Sequence, residues 1–188
     1  MKLSTDLDDY YYYPFKRDQG ETNTYNYTPN IGGIDLVNHP ELIDNILETK
    51  GLPELKQMLI EMNAPDSPYM TLGCANWLPK DTSYPITYLE FSFRDIDIAN
   101  NLQFISQIDK LFLEWLHSQA DKLKVDPDIL VQQTEQRTHW EYRPFSYCGS
   151  KERNLICVEV SSRDLYECDL IYNYIRIFLM KHLVLPST

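Results

Sequence analysis

The sequence predicts an α+β fold, and three observations predict it. Residues 86–93 (ITYLEFSF) and 154–161 (NLICVEVS) alternate apolar and polar side chains with the two-residue period of a half-buried strand. Each is followed by a long stretch with an apolar stripe at helical spacing. The two stretches also echo each other 69 residues apart, YLEFSFRD at 88–95 against CVEVSSRD at 157–164. Two successive β-β-α units account for all three, giving a mostly antiparallel sheet of four or more strands with helices packed on one face.

Residues 1–33 read as a Tyr/Asp-rich extended arm or loops, because turn-formers are dense there and no helical period exists. Residues 34–188 read as a single α+β domain. Two short helices open it. Asn38 and Pro40 start the first, Leu42, Ile43, Ile46 and Leu47 form its stripe, and Gly51 ends it. Pro53 starts the second, with Leu55, Met58, Leu59 and Met62 inward. A strand at 69–77 and a connection from Pro79 to Pro85 lead into the strand 86–93, where Leu89, Phe91 and Phe93 point inward and Tyr88, Glu90 and Ser92 outward. One helix is expected at about 98–122, striped by Leu102, Ile105, Ile108, Leu111, Phe112, Trp115 and Leu116. Asp126-Pro127-Asp128 reads as a turn, and 130–143 as a long strand. On that strand Trp140 and Tyr142 share one face, and Arg137, His139, Glu141 and Arg143 the other. A loop with Gly149 precedes the strand 154–161. There Ile156, Val158 and Val160 are inward, and Cys157, Glu159 and Ser161 outward. The last helix, about 164–184, is apolar almost all round and is expected to be deeply buried.

The charge balance excludes several functions. With 17 basic and 28 acidic residues, the net charge is −11 and the pI about 4.7. Such a surface repels nucleic-acid phosphates and anionic lipid. The basic islands Lys16-Arg17 and Lys151–Arg153 are too sparse for a nucleic-acid footprint. The first residues carry aspartates where a secretory signal needs an apolar run. Glu167, Asp169, Arg176 and Lys181 interrupt the apolar stretch Leu165–Leu185, against a membrane span. A cytoplasmic chain without a membrane partner is expected. Cys74, Cys148, Cys157 and Cys168 form no C-x-x-C pair, so reduced, mostly buried thiols are expected and neither a metal nor a cofactor.

No nucleophile elbow, P-loop, dinucleotide-binding or zinc-protease motif is present, so an enzyme is not expected. Two arrangements still carry chemistry. Glu90 and Glu159 are carboxylates on neighbouring strands, of the kind used in acid–base catalysis, although solvated side chains on a polar sheet face explain them more simply. His139 lies beside Glu141, with Cys148 or Cys157 as a conceivable nucleophile.

Fourteen tyrosines with an acidic excess point instead to an interface. Tyrosine brings large contact area at low rotamer cost, and surrounding carboxylates steer a basic partner. The expected partner-binding residues are Asp6, Asp8, Asp9, Tyr10, Tyr11, Tyr12 and Tyr13 in the arm, and Tyr88, Glu90, His139, Glu141 and Glu159 on the outward sheet face. The expected partner is a basic protein.

In size, charge and element order the chain is similar to two groups. One is the small acidic immunity proteins of bacterial competition, which implies an inhibitor occluding the active site of a basic toxin such as a nuclease. The other is the acidic secretion chaperones, which implies a dimeric adaptor for an extended apolar segment. An enzyme centred on His139 is the remaining alternative.

Overall fold

The computed structural model describes residues 1–4, 12–13, 33–79, 84–149 and 152–186. Its centre is a mixed sheet with helices against it. Four long strands run in the order β5-β6-β4-β3, every neighbouring pair antiparallel: β3 (Tyr69–Trp77), β4 (Ile86–Phe93), β5 (Thr138–Tyr147) and β6 (Glu152–Ser161). Two two-residue strands from the segment expected as an arm, β1 (Lys2–Leu3) and β2 (Tyr12–Tyr13), lie parallel along β5. The α+β expectation holds.

The helices share one face. α1 (Pro53–Asn63) buries Leu55, Met58, Leu59 and Met62, and α4 (Ile108–Leu123) buries Ile108, Phe112, Leu116 and Ala120. With α6 (Leu165–Lys181) they enclose the inward row Leu89, Phe91, Phe93, Ile156, Val158 and Val160. Residues spaced three and four apart on each helix meet strand residues spaced two apart, as the sequence period requires. Before α1 the chain makes 3-10 turns at Pro40–Asn45 and Leu47–Thr49. Gly51 then reverses it at φ +83°, where a side chain would be strained.

Three expectations are corrected. The single helix at 98–122 is three pieces, α2 (Ile96–Ala99), α3 (Leu102–Ile105) and α4. Asn101 divides α2 from α3, because its side chain accepts the Phe104 N–H at 3.0 Å and starts a new helix, and α3 ends at Ser106 before α4 begins. Residues expected as the start of a long strand form α5 (Pro127–Glu135). Asp126 accepts the Ile129 N–H at 3.0 Å and Pro127 occupies the first helical position, so the supposed turn is a helix start. The last helix is not buried all round, since Tyr166 is 77% exposed and Leu170 39%.

A second apolar cluster, Tyr13, Leu72, Phe145 and Leu155, lies apart from the main core. Phe145 and Leu155 alternate with inward residues on their strands, so this cluster is on the outward face. A bulge between Thr71 and Gly73 shifts the register of β3 beside it. Among the described residues, no helix is long and apolar enough to cross a membrane.

Candidate functional site

The outward face is built by pairing β4 and β6 at the centre of the sheet. Leu89 pairs with Val158, flanked by Tyr88 with Glu159 and Glu90 with Cys157. β5 adds His139 opposite Glu159 and Glu141 opposite Cys157. Paired residues point to the same side, so two polar rows cross the sheet: His139–Glu159–Tyr88, and Glu141–Cys157–Glu90. The buried apolar residues of α1, α4 and α6 pack in the core on the other face, leaving these rows on the side away from those helices.

The rows differ in burial. Glu90 is 5% exposed and pairs with the Arg143 guanidinium, which reaches across β6 from β5. Burial pushes the Glu90 carboxyl above its ordinary value, against the pull of Arg143, and nearby Glu141 adds to the rise. Cys157 lies in the same row. Burial raises its thiol, and Glu90 and Glu141 raise it further, so it remains a protonated thiol at neutral pH. Tyr88 is half-buried, meets the Trp77 ring edge-on at 5.9 Å, and is also raised, first by burial and then by Glu90.

The outer end of the face is wetter. The His139 side chain is 59% exposed, and its Nε2 is 3.9 Å from Glu141 Oε2. Glu159 is half-buried; burial raises its carboxyl, His139 opposes the rise and Glu141 adds to it. His139 therefore faces carboxylates, with Glu159 rather than Cys157 across from it. The arrangement offers negative charge beside aromatic edges and one titratable imidazole. Among the described residues, no group of three or more His, Cys, Asp or Glu side chains is placed to hold a metal ion.

The face thus brings together Tyr88, Glu90, His139, Glu141 and Glu159. Glu90, expected as an open contact, is instead turned onto Arg143. Tyr13 is 3% exposed and stacks on Tyr147 at 5.2 Å and 7°. Its ring belongs to the apolar cluster on this face. Tyr12 pairs with Ser146 in β2. Asp6, Asp8, Asp9, Tyr10 and Tyr11 lie outside the described residues. Sequence reasoning placed Arg143 on the right face without seeing its role. Its alternation with His139 and Glu141 was the available signal, but the two-strand reach to Glu90 depends on strand order. No family model, curated protein or solved structure matches this chain.

Proposed function

We propose that this chain is a protein-binding inhibitor of the immunity-protein kind, which neutralises a basic toxin domain by covering its active site. The observation that carries the reading is the row His139–Glu159–Tyr88, with Glu141 beside it, on the sheet face turned away from the helices of a chain of net charge −11. Carboxylates on a rigid sheet pair with the cations that a toxin such as a nuclease uses to hold substrate phosphates. Tyr88 and Trp77 supply aromatic area next to those charges, the combination found at energetic centres of interfaces. Glu90 is spent on Arg143 and acts by holding the face together.

The test compares the wild type with the double reversal E141K/E159K as bait for basic proteins from the source cells, with low- and high-salt washes. A single basic protein retained at high salt by the wild type and lost by the reversal supports the reading, provided adding the wild type back abolishes that protein's activity. Equal retention by both baits rejects this face as the contact.

A further inference from the structure

We propose that partner binding on the outward sheet face is released by acid, with His139 as the proton-operated element beside Glu141 and Glu159. This inference rests on the reading of that face as the site for a basic partner, and adds its regulation. His139 stands opposite Glu159 in the β5–β6 register, and its Nε2 lies 3.9 Å from Glu141 Oε2. One exposed imidazole thus adjoins both carboxylates that a partner's cations would engage.

The charges around His139 come from every element packed on β5. β6 brings Glu159 and Cys157, the latter a protonated thiol. On β5 itself, Glu141 follows His139, Arg143 reaches Glu90 of β4, and Arg137 lies 3.7 Å from Glu167. β1 sets Lys2 in register with Glu141, and β2 pairs at the far end of β5 through Tyr12 and Tyr13. α5, tied to the start of β5 by the Thr138 hydroxyl on the Thr134 carbonyl, ends in Glu135. Tyr88 continues the row beyond Glu159. Imidazoles change charge between about pH 5 and 8. A neutral His139 leaves the field of Glu141 and Glu159 to an incoming lysine or arginine. A protonated His139 competes for the same carboxylates and repels that cation. Burial raises the Glu159 carboxyl against the pull of His139, so further acid discharges Glu159 before an ordinary carboxylate. Each proton taken up therefore weakens the hold on a basic partner. By linkage, a bound partner drives protons off.

The experiment uses the full chain and a decalysine peptide, whose ammonium groups stay charged because lysine titrates at about 10.4. Affinity is measured by calorimetry at low ionic strength, at about pH 7.5 and about pH 5.5. Wild type should bind about five-fold more weakly at the lower pH, and H139Q less than about two-fold more weakly, because a glutamine gains no charge. In buffers of different ionisation enthalpy, binding between those two pH values should release protons from wild type and fewer from H139Q. An equal fall in affinity, or equal proton release, rejects His139 as the latch and leaves the face standing. At the higher pH, E141K/E159K should weaken binding more than E114K/D128K, which reverses two exposed helix carboxylates and changes the net charge equally. Equal weakening by the two reversals rejects the face as the cation site, and the latch with it.

Discussion

Glu90 and Arg143 illustrate what burial does to a charge pair. Desolvation outweighs the attraction of Arg143, so the carboxyl is raised rather than lowered. Removing Arg143 alone leaves the buried Glu90 carboxyl without its guanidinium. R143L should therefore lose about 3–5 kcal/mol in urea denaturation, whereas E90L/R143L should regain part of that, because an apolar side chain in place of Glu90 carries no desolvation cost. Glu167 is the opposite case. Arg163 holds its carboxyl down at about 2 against an ordinary 4.5, with help from the Ser162 hydroxyl, and Arg137 lies 3.7 Å away. A carboxyl with a lowered folded pKa stabilises above its unfolded pKa and loses that contribution as pH falls through the folded one. The stability gap between wild type and E167Q should thus be full above pH 5 and vanish as pH approaches about 2, measured by thermal melts across that window.

At the scale of elements, α1 starts without a local cap, since Leu52 precedes it and makes no side-chain cap hydrogen bond. Asp169 on α6 supplies the acceptor instead, taking the Glu54 N–H at 2.9 Å and the Leu55 N–H at 3.3 Å. A negative side chain at a helix N-terminus also meets the favourable end of its dipole. Arg176 of α6 clamps the same helix through Glu54 at 2.8 Å and Glu61 at 3.0 Å. D169A should cost about 1–2 kcal/mol, D169N less because an amide oxygen still accepts, and amide exchange should rise first in the opening turn of α1. The caps of α2 and α6 were legible in sequence. Asp95 and Asp164 occupy equivalent places in the echoed segments, and each accepts backbone N–H groups of its helix. The cap of α1 was not legible, because its acceptor is 115 residues away from Glu54. α5 was misread for a different reason. Its Gln and Thr residues say little about conformation, and the decisive Asp126-Pro127 pair serves turns and helix starts alike.

In the whole molecule, the echo becomes geometry. Leu89 and Val158 are equivalent in the echo, and they pair with each other, with Tyr88–Glu159 and Cys157–Glu90 as matched flanking pairs. The β3–β4 and β5–β6 hairpins therefore join through the β4–β6 pair, in the middle of the four long strands. Equivalent positions nevertheless differ in use, Glu90 being buried on Arg143 and Glu159 half-exposed beside His139. The proposed partner binding belongs to this scale, since it sums charges from several strands. In a stopped-flow measurement with the captured basic partner, E141K/E159K should slow association more than it speeds dissociation. The wild-type advantage should shrink as salt rises and the screening length falls below about 8 Å.

What the sequence alone determined is local and periodic. Alternation assigned the faces of β4 and β6, and apolar spacing assigned the inward sides of α1 and α4. Those features follow from the backbone period. Tertiary structure alone decided which outward residues meet water. Phe145 and Leu155 were bound to an outward face, but the parallel docking of Tyr13 beside Tyr147 makes them a second core. Glu90 was bound to the same face, but strand order brings Arg143 across β6 to bury it. A residue's face is set by its own strand, whereas its burial is set by segments distant in the chain.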